Sequence, residues 1–298
     1  MKGLSLFSGI GGLDLAATMA GIDVAGMCEI AEYPREVLKR RFPDAKIVSD
    51  IHYVHGEEWR DSDIVYGGFP CQDLSFAGRR AGLSGMRSGL WAEMLRVVSE
   101  IRPYWVLVEN VRGAVSLALD SVRAGLEDEG YVVWPFVLPA SAFGAPHLRE
   151  RMFVVGARQD VADAMPRGLS AQRTFEPAKG DCGRREPAPS GTRSSTVEVR
   201  EQPEGPLNPE WVESLMGFPV GWTDLAVEVV VGHPGWPMPQ GNVQYDWEPF
   251  RTVRSGVPHR ADRIRALGNA VVPQQALPLL DAIVAIDGII AKDKEEKK

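Results

Sequence analysis

The sequence predicts a doubly wound α/β fold, in which helices cover both faces of a mostly parallel sheet, joined to a smaller irregular region. Short apolar or β-branched runs alternate with longer helical patterns across the first 157 residues, as in a parallel sheet packed between helices. From about Ala162 to Pro206 this alternation fails, and Pro, Gly, Ser and Arg dominate. That segment is either a disordered linker or a small region of irregular structure.

The predicted elements follow from hydrophobic periodicity. The candidate strands are Gly3 to Phe7, Val24 to Glu29, Ile64 to Gly67, Trp105 to Glu109, Tyr131 to Leu138 and Met152 to Ala157. Helical patterns fit Leu13 to Ala20, Tyr33 to Phe42, Leu90 to Ile101 and Val115 to Glu129. Order returns at Leu207 to Thr223, and a later apolar, helix-like run ends at Ile290 before a charged tail that we expect to fray.

Composition describes an ordinary globular chain. With 298 residues, 44% hydrophobic and 24% charged, it can bury a full core. No uninterrupted apolar run approaches the roughly 18 residues of a membrane span, and no signal peptide is evident at the start. We therefore expect a cytoplasmic protein without a membrane partner.

Cysteine and histidine usage gives no support for a metal site. The three cysteines, Cys28, Cys71 and Cys182, are widely spaced and form no C-x-x-C pair, so neither a disulfide framework nor a zinc cluster is indicated. His52 and His55 lack a nearby Cys or His that would complete a ligand set. We predict no metal.

Charge is uneven along the chain. The formal net charge is -7, which argues mildly against a nucleic-acid partner. Between Arg149 and Arg200, however, ten basic residues face seven acidic ones, a local balance of +3. Charge alone leaves two readings of this stretch open, a solvated loop or a surface that meets phosphates.

A glycine-rich turn follows the first predicted strand. The segment Phe7 to Gly12, FSGIGG, leads into the first helix, where backbone N–H groups suit a carboxylate or phosphate. Glu29 ends the second strand, at the place where an acid commonly binds ribose hydroxyls. This pair fits NAD, FAD or S-adenosylmethionine, and a structural turn with no ligand is the alternative.

Two further motifs end predicted strands. In the segment Gly67 to Ser75, GGFPCQDLS, Cys71 lies just past a strand end, where ligands bind in open α/β sheets. A lone cysteine is often a buried hydrophobe, but its polar neighbours favour a nucleophile. Glu109 ends the most apolar strand, where an acid is costly unless paired or used; capping the Val115 helix region or bonding a loop is the alternative.

A pair of arginines precedes the last predicted strand. Arg149 and Arg151 stand two apart in a segment predicted to be extended, so both could reach one carboxylate or phosphate. A surface charge cluster is the alternative.

Taken together and in order, these motifs resemble the DNA (cytosine-5) methyltransferase family: FSGIGG, Glu29, Asp50-Ile51, GGFPCQDLS, VENV, RER and GNAVVPQ. The match covers roughly residues 3 to 157 and 207 to 280. The resemblance implies an S-adenosylmethionine-dependent methyltransferase-type sheet. It also implies a cofactor-binding and catalytic domain at 1–157, a small target-recognition region at 158–250, and a C-terminal segment at 251–298 that returns to the catalytic domain.

The resemblance further implies S-adenosylmethionine as cofactor and S-adenosylhomocysteine as its product. The positions that match cofactor-binding residues of the family are Phe7, Gly9, Ile10, Gly11, Glu29, Ile30, Asp50, Ile51, Pro70, Leu90 and Asn269. Phe7 and the glycines would line the methionine end, Glu29 would bind the ribose, and Asp50 with Ile51 would hold the adenine.

Catalytic roles are carried over in the same way. Cys71 would attack carbon 6 of a cytosine rotated out of the duplex, Glu109 would contact ring N3, and Arg149 and Arg151 would steady the base and its phosphate. The loop Gly78 to Gly89 looks like the family's mobile catalytic loop. The implied partner is double-stranded DNA, bound by a monomer, with a cognate restriction enzyme as a further candidate.

One departure and several rivals remain. His147 stands where the family usually has Gln, which puts one contact near the base in doubt. An RNA-acting branch of the family is disfavoured because its Cys-Phe-Thr tripeptide does not occur here. A nicotinamide- or flavin-dependent oxidoreductase leaves Cys71, Glu109 and the arginines unexplained. A third alternative is a catalytically inactive DNA-binding or structural module. Because the chain retains both Cys71 and Glu109, inactivity would have to arise elsewhere.

Overall fold

A computed structural model describes residues 1–70, 89–165, 196–229, 235–238, 243–254 and 256–296. Its centre is a seven-stranded sheet in the order β3-β2-β1-β4-β5-β7-β6. The strands are β1 (Lys2–Leu6), β2 (Asp23–Cys28), β3 (Lys46–Val48), β4 (Ile64–Gly67), β5 (Trp105–Val111), β6 (Tyr131–Leu138) and β7 (Arg151–Arg158). All pairings are parallel except those of β7, which runs antiparallel to both β5 and β6.

Eight α-helices accompany the sheet in the described part of the chain. They are α1 (Gly12–Met19), α2 (Glu32–Arg41), α3 (Leu90–Ile101), α4 (Val115–Asp128), α5 (Gln159–Ala164), α6 (Pro209–Leu215), α7 (Arg260–Asn269) and α8 (Pro273–Glu296). Short 3-10 turns follow β3 and β5. A separate two-stranded ribbon pairs β8 (Val197–Val199) with β9 (Val243–Tyr245).

Helices cover both faces of the sheet. Side chains alternate between the faces along a strand, so Val106 and Val108 of β5 join one core while Trp105 and Leu107 join the other. The first core is closed by α3 and α4, and the second by α1, α5 and α8. This is the doubly wound α/β arrangement that the sequence predicts.

A third apolar cluster joins the C-terminal part of the chain to the start of the fold. Met216, Phe218 and Trp222 pack with Ile10 and Leu15 of the first helical region and with buried residues of α7. The Nε1–H of Trp222 donates to the carbonyl of Ile10 at 2.7 Å. The apolar side chains of the segment Leu215 to Pro219, LMGFP, therefore serve to pack the core, as their composition indicates.

The C-terminal helix is the longest. Its portion Pro273–Asp293 is long and apolar enough to cross a membrane by length and composition alone. It packs along α1, and its buried side chains enter the second core: Ala276, Leu280, Ile283 and Ile290. The expectation of a frayed tail from Lys292 was wrong up to Glu296, because α8 continues to that residue.

The predicted strands and helices are confirmed with small shifts at their ends. β1 stops at Leu6 because Phe7 has a left-handed φ of 56°, and β5 continues two residues beyond Glu109. β3 and α5 were not predicted. The division at residue 157 stays a prediction, while Val161 of α5 packs into the second core.

Candidate active site

The carboxyl ends of parallel strands β1, β2, β3, β4 and β5 meet at one edge of the sheet. Ligands bind at this edge in open α/β folds. The sequence-predicted residues follow these ends in turn: Phe7 to Gly12 after β1, Glu29 after β2, Asp50 and Ile51 after β3, Pro70 after β4, and Glu109 near the end of β5. The fold therefore brings most of the predicted site to one edge.

The turn after β1 has an unusual backbone. Phe7, Gly9 and Gly11 have positive φ values of 56°, 56° and 83°, a region that favours glycine. A Cβ on Gly11 would lie 2.7 Å from the ring of Phe42, whereas one on Gly9 would meet no atom within 4 Å. The turn thus packs on one side and faces open space at Gly9.

Glu29 joins this turn to the end of β2. Its two carboxylate oxygens accept hydrogen bonds from the backbone N–H groups of Gly9 and Ala31, each at 2.8 Å. A carboxylate has capacity for about four hydrogen bonds, so it can still bind hydroxyl groups. Ile30 beside it is 72% exposed.

Asp50 and Ile51 follow β3 with different surroundings. Asp50 accepts from the backbone N–H of His52 at 3.0 Å and bonds the His52 ring at 2.7 Å, and these bonds lower the pKa of Asp50. Ile51 is 3% exposed and packs into the first core. Ile10 is also buried, so two predicted cofactor residues place their side chains in the protein interior.

The end of β4 lies directly against the end of β5. A Cβ on Gly68 would lie 2.4 Å from Oε2 of Glu109. The Nδ2 group of Asn110 donates to the carbonyl of Phe69 at 3.0 Å, and the Phe69 ring packs on Trp91 with centroids 5.5 Å apart. The backbone leading to Cys71 is therefore fixed beside Glu109. Pro70 is exposed, and Leu90 begins α3.

Cys71 itself lies outside the described residues, as does nearly all of the predicted loop Gly78 to Gly89 with Arg79, Arg80 and Arg87. Cys28 is the free thiol in the described ranges. It is buried, and burial together with Glu29 and Asp50 raises its pKa to about 12. Cys28 is unsuited to be a nucleophile because the reactive species is the thiolate.

Glu109 forms an ion pair with Arg151. Nε of Arg151 lies 2.9 Å from Oε1 of Glu109, and the two side chains are 12% and 15% exposed. Burial raises the pKa of Glu109 to about 7, against the lowering effects of the Arg151 and Arg149 charges. Near neutral pH this carboxyl group can therefore hold or release a proton.

Arg149 differs from expectation. It was predicted to lie in an extended segment with Arg151, but its φ is 29°, in the left-handed region, and β7 begins only at Arg151. Its Nη2 group donates to the carbonyls of Gly268 and Ala270 at 2.7 and 2.6 Å. Within the described residues, only Arg151 forms an ion pair with Glu109.

Asn269 ends α7 and is exposed. It lines an open cleft of about 490 Å³ between the start of α2 and α7. The cleft also contains Ala31, two residues beyond Glu29, but its wall does not include the turn at Phe7 to Gly12. The structure therefore does not place Asn269 in one cleft with the glycine turn.

His147 has its own partners. Its Nε2 lies 2.8 Å from the carbonyl oxygen of Leu215, and its ring meets Trp236 edge-on at 6.5 Å. Burial lowers the pKa of His147, and nearby Arg149 and Arg151 lower it further. A neutral ring would have to carry its proton on Nε2 to donate this bond.

Sequence reasoning missed Asp14, in the first turn of α1. The residue is fully buried, and burial raises its pKa to about 7. The hydroxyl of Tyr66 donates to its Oδ1 at 3.1 Å. The available signal was an acid surrounded by apolar residues on a predicted core helix.

Comparisons with known proteins agree on the fold. A prophage-encoded DNA modification methyltransferase from E. coli superimposes with a TM-score of 0.58 at 20% identity, covering 97% of this chain and 99% of that one. Together with the strand order and its single reversed strand, this likeness defines an α/β fold of the S-adenosylmethionine-dependent methyltransferase type.

The family follows from sequence. The model of the C-5 cytosine-specific DNA methylase family matches residues 1–182. Type II methyltransferase M2.BsuMI of Bacillus subtilis (strain 168) is 31% identical over 76% of this chain and 67% of its own length. M.NgoFVII of Neisseria gonorrhoeae is 35% identical, but the match spans 53% of this chain and only 44% of that relative. This chain belongs to the C-5 cytosine-specific DNA methylase family.

Proposed function

We propose that this protein is a DNA (cytosine-5) methyltransferase that transfers a methyl group from S-adenosylmethionine to carbon 5 of a cytosine in a short duplex site, through a covalent bond between Cys71 and carbon 6. The observation that carries the proposal is the buried Glu109–Arg151 pair. It lies against Gly68, three residues before Cys71, on the ligand-binding edge of the sheet.

The described residues fit S-adenosylmethionine. Gly9 faces open space, where a Cβ would meet nothing within 4 Å. Glu29 has acceptor capacity left for ribose hydroxyls. Phe7, Gly9 and Gly11 would hold the methionine end, Asp50 the adenine, and Pro70, Leu90 and Asn269 the rest. When bound, the cofactor supplies an electrophilic methyl group on a sulfonium.

Cytosine carbon 5 is a poor nucleophile, and the proposed residues address this. The Cys71 thiolate adds to carbon 6 while Glu109 gives its proton to ring N3. Burial raises the pKa of Glu109 to about 7, so a substantial fraction of this carboxyl group is protonated at neutral pH. The ring electrons then form an enamine whose carbon 5 takes the methyl group. Loss of the carbon 5 proton expels Cys71 and restores the aromatic ring.

Arg151 contributes through Glu109. Its charge keeps the carboxyl pKa from rising further, so Glu109 both gives and regains a proton near pH 7. Its guanidinium, fixed by this pair, would also steady the base. Reaching the base requires its rotation out of the duplex, at a cost of a few kcal/mol.

DNA binding would use the stretch from Arg149 to Arg200, which is +3 inside a chain of net charge -7. Contacts between such residues and phosphates give affinities that fall steeply with salt. We propose a cytoplasmic monomer acting on double-stranded DNA. Because relatives are named Type II methyltransferases, a cognate restriction enzyme is the proposed partner.

Methylation in cells tests the activity. DNA from bacteria expressing the wild-type chain should show protected cytosines at a recurring short site by bisulfite sequencing. Cys71→Ser should abolish protection while S-adenosylmethionine binding by calorimetry persists, and Asp281→Asn, at an exposed position of α8, should leave protection unchanged. Wild-type methylation by Cys71→Ser would overturn the proposal.

A further inference from the structure

The side chain of Arg149 holds the C-terminal turn that carries Asn269. A single nitrogen of its guanidinium, Nη2, donates to the carbonyls of Gly268 and Ala270, at 2.7 and 2.6 Å. These carbonyls flank Asn269 on both sides. The arginine therefore fixes the backbone of the turn at the residue proposed to contact the cofactor.

The backbone of Arg149 is itself held in place. Its φ of 29° is in the left-handed region, which is uncommon for a residue with a Cβ. Gln275, which is fully buried in the first turn of α8, donates from Nε2 to the carbonyls of Arg149 and Leu138, both at 2.8 Å. The position of the guanidinium is therefore determined by a backbone that is itself held by hydrogen bonds.

The turn held by Arg149 packs against the glycine-rich motif. A Cβ on Gly12 would lie 2.6 Å from the carbonyl oxygen of Val271 and 2.9 Å from its side chain. Ala270 and Val271 are both buried. A shift of Gly268 to Val271 would therefore press on the start of α1, directly after the turn proposed to bind methionine.

The charges of Glu109 and Arg151 also act on Arg149. Burial and the neighbouring Arg151 charge lower the pKa of Arg149 to about 10, while Glu109 raises it. Arg149 likewise lowers the pKa of Glu109.

We propose that Arg149 is a positioning residue for the cofactor: by holding the turn Gly268 to Ala270, it maintains the affinity for S-adenosylmethionine. This proposal rests on the proposed function, because it takes Asn269 and the glycine motif as the cofactor site. It differs from the role that the family resemblance implies for Arg149, which is to bind the base and its phosphate. Both bonds come from the single nitrogen Nη2, so a lysine, whose shorter side chain carries three donors on one nitrogen, should replace them in part.

The two roles predict opposite results for Arg149→Met. A positioning role predicts that the Kd of S-adenosylhomocysteine, measured by calorimetry without DNA, rises about 2- to 30-fold. The Kd of Arg149→Lys should lie between those of Arg149→Met and the wild type. The affinity for a 30-base-pair duplex and its salt dependence should change less than about twofold. Arg112→Met is the matched control. Arg112 is a 64% exposed arginine that pairs with Glu150, and its replacement should leave cofactor affinity unchanged.

Unchanged S-adenosylhomocysteine affinity in Arg149→Met, with weaker duplex binding and a flatter salt dependence, would overturn the inference in favour of a phosphate contact. If Arg149→Met does not fold, as judged by its melting transition, the same two measurements on Arg149→Lys decide between the roles. Failure of the wild-type protein to bind S-adenosylhomocysteine at all would instead count against the proposed function. The two failures are therefore distinguishable.

Discussion

Arg151 and Glu109 are diagonal neighbours across two antiparallel strands. In the pairing of β5 with β7, Glu109 stands opposite Phe153 and Arg151 opposite Val111, so the side chains approach from positions two residues apart on the same face. Their 2.9 Å contact depends on β7 being the reversed strand. The ion pair is thus a product of the sheet topology.

The pH dependence of methyl transfer should reveal the proton on Glu109. Burial raises its pKa to about 7, and the mechanism uses the protonated form. Single-turnover rates of wild type divided by those of Glu109→Gln should therefore be constant below pH 7 and fall about tenfold per pH unit well above it. The ratio cancels the ionisation of Cys71, which both proteins share. A ratio that is constant from pH 6 to 9 would remove Glu109 as the proton donor.

A methyl group at Gly68 should disturb the site without disturbing the fold. Its Cβ would lie 2.4 Å from Oε2 of Glu109, so Gly68→Ala must displace the carboxylate. We expect kcat to fall on the order of 10²-fold, because small misplacements of catalytic groups are costly, with little change in Tm.

Gly288→Ala, in α8 with no atom within 4 Å of the new Cβ, is the control for adding a methyl group and should keep full activity. Full activity in Gly68→Ala would mean that the position of Glu109 is not critical.

Asp14 should make stability depend on pH. Its pKa is raised from 3.8 to about 7 in the folded protein, chiefly by burial, so its contribution to stability is present below pH 4 and is lost as pH rises to 7. The loss is at most about 4 kcal/mol. Asp14→Asn should be more stable than wild type at pH 8 in urea unfolding, and the difference should shrink toward pH 4. The exposed Asp281→Asn should show no such trend.

Glu213 and Arg263 form a buried pair that ties α6 to α7. Their side chains are 0% and 1% exposed, 3.0 Å apart, and Glu213 also accepts from the backbone N–H groups of Gly221 and Thr223. Removing one partner leaves a buried charge, so Arg263→Met should cost about 3 to 5 kcal/mol. Adding Glu213→Gln to it should recover part of that loss in urea unfolding, and strictly additive losses would contradict the pairing.

Much of the sheet could be predicted because its strands are apolar runs with turn residues at their ends. The same logic placed Glu29 and Glu109 near strand ends, where ligands bind. β3 escaped notice because three residues, Lys46 to Val48, carry too little periodicity. The reversal of β7 could not be read from its composition, since a buried strand has the same apolar pattern in either direction.

The partners of individual side chains could be predicted from the sequence less well than the strands and helices. Arg149 and Arg151 are two residues apart and chemically identical, so spacing suggested a shared target. In the structure the two arginines have different partners. Arg149 has a left-handed backbone and donates to the carbonyls of Gly268 and Ala270, over a hundred positions away. The buried position of Asp14 likewise depends on packing between α1, β1 and β4.

The most direct test of the central claim is to trap the covalent intermediate. Fluorine at carbon 5 cannot leave as a proton does, so a duplex synthesised with 5-fluorocytosine in place of every cytosine should hold the enzyme after methyl transfer. Mass spectrometry of the digested complex should locate the modified nucleotide on the peptide that carries Cys71. A cross-link at another residue, or methylation of ordinary DNA with no trapped species on the fluorinated duplex, would contradict the account.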